Sequence, residues 1–139
     1  EVQKGHQGRD QVQAKHIEFS AKVFEEMLAL RMSSPLFRLT TAKDINSKVS
    51  FLNTDNKQVG LLVMKLDDSQ GTPVDGNADS LMVMFNTSNE VQTFAFAEAD
   101  KYQLHPIQKS GVDEVSKQSK TDEKGFTVPA LSSVVFVKK

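Results

Sequence analysis

The stretch Ser34-Pro35-Leu36-Phe37-Arg38-Leu39 decides the fold, because it separates two parts of the chain that have different sequence periods. Proline lacks a backbone N–H and disfavours helical geometry in the residue before it, so a helix arriving from the N-terminal side must end near Ser34. The backbone should leave this point extended. The stretch therefore predicts a boundary between an α-helix and a β-rich region, which we call the Pro35 boundary.

Upstream of the Pro35 boundary, residues 10–33 contain neither glycine nor proline, and apolar residues recur at helical spacing. The apolar positions cover more than one side of such a helix, since Phe19 and Val23 fall on a different side from Ile17 and Leu28. The pattern predicts a long amphipathic helix that needs apolar cover on two sides.

Downstream, short runs rich in β-branched and aromatic residues alternate with turn-forming clusters. Residues 49–53 and 59–66 flank the cluster Thr54-Asp55-Asn56-Lys57, which predicts a hairpin. Further strands are predicted at 81–86, 92–96, 102–105, 112–116, 126–128 and 131–137. Seven or eight short strands predict a mainly β fold: an antiparallel, Greek-key-like sandwich of two sheets, preceded by the helix.

Two of the predicted strands, 60–63 and 81–85, are apolar on both faces. In an antiparallel sandwich one face of each strand normally meets water, so polar and apolar residues alternate. Something besides the opposing sheet should therefore cover these strands. The helix is one candidate, and a neighbouring domain is the other.

The domain organisation follows from these patterns. Residues 1–9 predict a flexible lead, residues 10–33 a helix with Asp10 as its N-cap, and residues 36–139 a β-sandwich domain. A chain of 139 residues is long enough to bury a core without disulfides or metals. Because it opens on Glu1 rather than Met, we expect a fragment or a processed chain.

Composition excludes several classes of function. Seventeen basic and eighteen acidic residues are interleaved along the chain, so no basic patch for nucleic acid is predicted. The sequence contains no cysteine, and this excludes thiol nucleophiles and thiolate metal sites. No run approaches eighteen apolar residues, so we expect no contact with a membrane.

The loop Asp75-Gly76-Asn77-Ala78-Asp79 resembles the opening of a calcium-binding loop, with oxygen ligands at alternate positions. The match then fails, because Ser80 replaces the required glycine and Asn86 the bidentate glutamate. We expect a solvated loop and no cofactor, with calcium at Asp75, Asn77 and Asp79 as the alternative.

Other candidates for chemistry have simple structural explanations. His6, His16 and His105 lack metal-ligand spacing. Asp67 and Asp68 are adjacent, so in a strand they point to opposite faces and cannot act together as the acid and base of a glycosidase. No catalytic residue is predicted within this chain.

Sugar binding usually relies on exposed flat aromatic rings, preferably Trp or Tyr. The chain has no Trp, one Tyr and nine Phe, so Tyr102 is the single good candidate for stacking on α-glucan. The alternative is that Tyr102 anchors a strand edge. Arg31 and Arg38 flank the Pro35 boundary and are interpreted either as partners of an acidic surface or as solvated ends of the helix.

Three motifs carry a family resemblance: the Pro35 boundary, the strand Gly60-Leu61-Leu62-Val63-Met64-Lys65-Leu66-Asp67-Asp68, and the ending Thr127-Val128-Pro129-Ala130-Leu131-Ser132-Ser133-Val134-Val135-Phe136-Val137. Together they make residues 15–139 similar to the C-terminal region of bacterial pullulanase-type α-1,6-glucosidases, debranching enzymes of the α-amylase superfamily. In that family the first motif follows the last helix of the catalytic barrel, and the last motif closes a C-terminal β-sandwich.

The resemblance implies a non-catalytic module of a glycoside hydrolase that acts on α-1,6 linkages of branched α-glucans, as part of starch or glycogen metabolism. It implies that the catalytic barrel of the same chain is the partner, with Phe19, Val23, Met27 and Leu30 at the contact, and that the module stabilises the barrel. It also favours an extracellular or cell-envelope location.

An isolated fragment with such a helix is expected to self-associate. The alternatives are a module that binds α-glucan and an unrelated sandwich that binds proteins.

Overall fold

The computed structural model describes residues 13–55 and 58–139. Its helices are α1 (Ala14–Ser33), α2 (Ala42–Lys48) and α3 (Pro106–Lys109). Its strands are β1 (Val49–Phe51), β2 (Leu61–Asp67), β3 (Ser80–Asn86), β4 (Gln92–Ala95), β5 (Gln103–Leu104), β6 (Lys120–Asp122), β7 (Gly125–Val128) and β8 (Ser132–Lys138). Short 3-10 turns lie at Pro35–Arg38, Ala99–Lys101 and Ser116–Gln118.

The described strands form two sheets. The large sheet has the order β1-β2-β3-β8-β5, the small sheet has the order β4-β7-β6, and all neighbours are antiparallel. The predicted hairpin is present, with β1 paired to β2 from Val49 opposite Leu66 to Phe51 opposite Met64. The fold prediction of a helix followed by an antiparallel two-sheet sandwich is confirmed.

The inner core lies between the two sheets. Inward residues alternate along β2, β3, β7 and β8, as the two-residue period of a strand requires. This core consists of Leu61, Val63, Met82, Met84, Ala99, Tyr102, Phe126, Val128, Val134 and Phe136. Phe126 is fully buried and packs its ring 4.8 Å from the ring of Phe136, measured between centroids.

A second apolar cluster lies on the outer face of the large sheet. It contains Leu66, Leu81, Val83, Val135 and Val137 from the strands, together with Leu30, Leu36 and Ala78. The last turn of α1 and the 3-10 turn after it therefore cover this part of the face. This explains why β2 and β3 are apolar on both sides, and it confirms the helix as one of the two predicted covers.

The Pro35 boundary has the geometry that its sequence predicts. Ser34 is extended, with φ −143° and ψ 134°, and ends α1. Its hydroxyl accepts a hydrogen bond from the backbone N–H of Leu36 at 3.1 Å, which caps the 3-10 turn that begins at Pro35. Helix α2 follows and was not predicted; the Thr41 hydroxyl caps it by accepting from Asp44 N at 3.1 Å.

Some predictions about local structure are wrong. No strand forms over residues 112–116, because the backbone N–H of Val112 donates to the carboxylate of Glu26 on α1 instead of to a neighbouring strand. Strand β6 was missed. Asp10 and the lead at 1–9 lie outside the described residues.

Candidate docking surface

Helix α1 has one apolar side that nothing in the described chain covers. Residues 17, 24 and 28 are spaced so that they share a face, and residue 32 continues it. Phe24 is 64% exposed, an unusual position for a large aromatic side chain. We call Ile17, Phe24, Leu28 and Met32, all of them exposed, the helix stripe.

The opposite side of α1 faces the protein's own sandwich. Leu30 is only 3% exposed and belongs to the outer cluster of the large sheet. Glu26 is half-buried and accepts a hydrogen bond from Val112 N, which ties the middle of α1 to the loop after α3. The helix thus has two apolar sides, as its pattern indicated.

This arrangement corrects part of the predicted contact set. Leu30 is sealed inside the chain's own core, so it cannot contact another domain. Val23 is half-buried on the same side, while Phe19 and Met27 stay exposed at its edges. The helix stripe is the side that remains free, and the periodicity of Ile17, Phe24 and Leu28 could have identified it.

A groove connects α1 with the outer face of the large sheet. It has a volume of about 280 Å³ and is mostly apolar, with Met27 and Arg31 from α1 on one side. Met64, Val83 and Phe85 form its floor on the strands. Beyond the groove the outer face continues to Leu62 and Phe51, which are also exposed. The free apolar surface is therefore not confined to α1.

The two arginines at the Pro35 boundary form no ion pair with the described residues. Arg31 is exposed in the last turn of α1, where a cation favours the helix dipole. Arg38 is half-buried, and its Nε atom is buried without a hydrogen-bond partner in the described part of the chain. Their predicted role toward an acidic surface stays a prediction.

The loop proposed for calcium is held by protein hydrogen bonds instead. One carboxylate oxygen of Asp75 accepts from the Ser34 hydroxyl at 2.5 Å, and the other accepts from Asn77 N at 2.8 Å. Asp79 uses its backbone, with its N–H donating to Lys138 O at 2.8 Å. No cluster of three potential metal ligands occurs within residues 13–55 and 58–139. Calcium at Asp75, Asn77 and Asp79 stays a prediction.

A buried ion pair that the sequence did not reveal lies at the start of the longer loop 67–79, which includes these residues. Lys48 is 1% exposed, and its ammonium lies 3.0 Å from a carboxylate oxygen of Asp68 and 2.6 Å from Gln70 O. Burial alone would raise the pKa of Asp68, but hydrogen bonds from the backbone of Val74 and Asp75 and the charge of Lys48 together hold it below its usual value. The pair fixes the loop against the end of α2.

Tyr102 lies in the inner core and not on the surface. It is 4% exposed, its ring packs edge-on against Phe96 and Phe126, and its hydroxyl donates to Ser80 Oγ at 2.8 Å. A ring in this position has no free face for a sugar, so the structure argues against the stacking prediction and in favour of the anchoring alternative.

His105 joins the end of α1 to the start of α3. Its Nδ1 accepts from Ile107 N at 3.2 Å, and its Nε2 lies 3.3 Å from the Ser33 hydroxyl. Burial lowers the pKa of His105, and the charge of Lys139 lowers it further. A neutral imidazole fits this geometry, because a protonated Nδ1 could not accept a hydrogen bond.

Comparison with known protein families identifies the family of this chain. Residues 6–139 match the family described as "Alpha-1,6-glucosidases, pullulanase-type, C-terminal", and the chain belongs to this family. It is 39% identical to the chloroplastic pullulanase 1 of Arabidopsis thaliana in an alignment 132 positions long, which covers 88% of this chain and 14% of that protein. It is 37% identical over 90 residues to a pullulanase of Klebsiella pneumoniae, covering 63% of this chain and 8% of that protein.

Solved pullulanase structures have the same fold as this chain. The maltotriose complex of PulA from Klebsiella pneumoniae superposes with a TM-score of 0.82 and 30% identity, over 90% of this chain and 14% of that chain. A pullulanase from Anoxybacillus sp. LM18-11 has the same fold, with a TM-score of 0.61 at 16% identity over 82% of this chain and 14% of that one. The chain thus spans about a seventh of the length of several matched proteins and corresponds to the C-terminal region of a larger pullulanase chain.

No helix among the described residues is both long and apolar enough to cross a bilayer.

Proposed function

We propose that this chain is the C-terminal domain of an enzyme that hydrolyses α-1,6 linkages in branched α-glucans, and that it stabilises the catalytic barrel by packing against it. Family membership and the pullulanase relatives support the activity of the longer chain, which we call the parent enzyme. The domain's contribution is to cover apolar surface and not to supply a catalytic carboxylate.

The observation that carries this proposal is the helix stripe. Four large apolar side chains point away from the domain's own core, although α1 already uses its other side to pack on the sandwich. Fully burying one such side chain is worth about 1.5–3 kcal/mol. Because these side chains are about half exposed, covering all four would contribute roughly 3–6 kcal/mol. That is a substantial part of the 5–15 kcal/mol by which a typical domain is stable.

The experiment replaces Phe24 and Leu28 with serine, both in the 139-residue chain alone and in the parent enzyme. In the chain alone, at concentrations where it is monomeric, the free energy of unfolding should change by no more than about 0.5 kcal/mol, because the side chains are exposed there. In the parent enzyme the melting temperature should fall by several degrees. Val115→Ser, which alters an exposed apolar residue outside the surface described above, is the matched control.

An unchanged melting temperature in the parent enzyme would contradict the stabilising role. Deleting the whole domain should likewise lower the expression and thermal stability of the enzyme. A deletion that affected only the retention of the enzyme on pullulan or amylopectin would favour glucan binding instead.

Self-association of the isolated chain follows from the same surface. We expect sedimentation to show concentration-dependent dimers that the Phe24→Ser, Leu28→Ser variant weakens. A strictly monomeric chain that binds no apolar dye would contradict this. The alternative of an unrelated sandwich is removed by the family match, and glucan binding loses its one proposed platform because Tyr102 is buried.

A further inference from the structure

Leu131 has a backbone conformation that leucine rarely adopts. Its φ is 49°, and among the described residues no other non-glycine residue has a positive φ. In this left-handed region the Cβ atom crowds the following carbonyl group, so glycine or asparagine is favoured there. The side chain is nevertheless large, apolar and 68% exposed. Leu131 belongs to neither apolar cluster of the described chain.

The loop that carries Leu131 is held in place by the buried side chain of Asn86. The Asn86 amide donates to Pro129 O at 3.0 Å and to Glu90 O at 2.8 Å. Its oxygen accepts from Ser88 N at 3.0 Å, and Ser88 O in turn accepts from Leu131 N at the same distance. The strained residue is therefore fixed by hydrogen bonds from the neighbouring loop.

A third loop is hydrogen-bonded to the loop that contains Ser88. Gly60 O accepts from Thr87 N at 2.8 Å, and Val59 O accepts from the Gln92 side chain at 2.9 Å. The three loops, 58–60, 87–91 and 129–131, present three exposed apolar side chains at one end of the large sheet: Val59, Val91 and Leu131. We call these side chains the loop platform. Loops whose backbone is already fixed by hydrogen bonds lose little freedom on binding, which favours a contact role for the loop platform.

The loop platform is continuous with the surface that runs from α1. Phe85 and Ser133 line the groove beside Met27 and also line a second hollow beside Leu131. Helix α1 and the outer face of the large sheet thus form the two sides of a corner, and Leu131 stands at the far end of one side. A single body seated in this corner would touch the helix stripe, the groove and the loop platform.

We propose that the catalytic region of the parent enzyme extends across the groove and takes Leu131 as an apolar anchor in a pocket of its own. This inference rests on the proposed function, and it identifies which surface of the domain docks and where the docking ends. The occupant is chosen because the matched Arabidopsis and Klebsiella proteins are about seven times longer than this segment, and because the corner is continuous with α1. The strain at Leu131 is then offset by a contact that forms only in the parent enzyme.

The test uses three substitutions at one position. Leu131→Gly and Leu131→Asn relieve the backbone strain and remove the apolar side chain, whereas Leu131→Ala removes the side chain and keeps the strain. In the 139-residue chain alone, the glycine and asparagine variants should melt roughly 2–5 °C higher, and the alanine variant should be unchanged. In the parent enzyme all three variants should lower the melting temperature of the domain. The effect of Leu131→Gly on the melting temperature should therefore have opposite signs in the two contexts.

This inference would be overturned if Leu131→Gly changed the melting temperature equally in both contexts. It would also be overturned if Leu131→Ala left the melting temperature of the parent enzyme unchanged. The Phe24→Ser, Leu28→Ser double variant is measured in the same experiment and tests the proposed function independently of the Leu131 variants. If that variant destabilises the parent enzyme while the Leu131 variants do not, the barrel contact stands and the anchor is wrong. Val115→Ala, on an exposed residue away from the corner, should have no effect in either context.

Discussion

The inner core of the sandwich and the helix stripe of α1 contain the same kinds of side chain in opposite environments. Phe126 is fully buried and packs against the rings of Phe96, Tyr102 and Phe136, whereas Phe24 is 64% exposed and belongs to no apolar cluster of the described chain. The core is closed within the described residues, whereas the stripe stays exposed. Under our proposal, this difference separates the stability that belongs to the domain from the stability that a larger chain would add.

The largest expected effect concerns the inner core. Phe126→Ala should lower the free energy of unfolding by about 3–5 kcal/mol, because it leaves a cavity among rings that cannot collapse to fill it. The loss should be the same size in the chain alone and in the domain of the parent enzyme. Urea unfolding measures both, and Phe24→Ala is the matched control that should cost the isolated chain almost nothing. A loss that depended on context would mean that the inner core is not complete by itself.

The next effect concerns the buried ion pair. Lys48→Met should cost about 3 kcal/mol, because it leaves the Asp68 carboxylate buried without its cation. Replacing Lys43, an exposed lysine on the same helix, with methionine should be nearly neutral. Thermal unfolding of both variants compares them directly. If Lys48→Met were as mild as Lys43→Met, the pair would not hold the loop 67–79 in solution.

A smaller effect concerns the attachment of α1 to the sandwich. Glu26→Gln should weaken the hydrogen bond from Val112 N and cost about 1 kcal/mol in the local opening of α1. Hydrogen exchange of the α1 amides measures this opening, with Glu25→Gln on the exposed side as control. In the parent enzyme the effect should be smaller, because the catalytic region would hold α1 from its other side. Equal exchange in the two contexts would contradict that second contact.

The smallest effect is a dependence on pH near the end of α1. The pKa of His105 lies below its ordinary value of 6.5 in the folded chain, so the unfolded chain takes up the proton first. The free energy of unfolding should therefore be highest above about pH 6.5 and should fall as the pH drops toward the folded pKa. His105→Gln should remove this part of the slope. NMR titration of the imidazole gives the folded pKa directly, and an upward shift would reverse the predicted sign.

The sequence predicted those elements whose apolar pattern is long enough to show a period. These are α1, with its two apolar sides, and strands β2, β3 and β8, each seven residues long. Strand β6, which was missed, is three residues long, and so short a segment carries no period. The segment 112–116, wrongly predicted as a strand, contains two valines, but the N–H of Val112 donates to Glu26, a tertiary contact that the local pattern cannot reveal.

The site was harder to predict for a related reason. The apolar pattern indicated that two sides of α1 need to be buried. Only the packing of Leu30 shows which of these sides contacts the domain's own sandwich. The burial of Lys48 could not be predicted, because lysine is almost always exposed. The sequence left two roles open for Tyr102, because an aromatic ring can pack in a core or stack on a sugar. The strain at Leu131 is a backbone property, and a leucine in the sequence gives no sign of it.

The most direct test of the account is the accessibility of the helix stripe in two contexts. The chain contains no cysteine, so Leu28→Cys places a single thiol on the stripe, and mass spectrometry of the labelled peptide follows its reaction with a thiol reagent. Lys124→Cys, on an exposed turn, is the reference. We predict rapid labelling at position 28 in the isolated chain and labelling at least about tenfold slower in the native parent enzyme, equivalent to protection by about 1.4 kcal/mol or more. Equal rates at position 28 in both contexts would show that nothing covers the stripe.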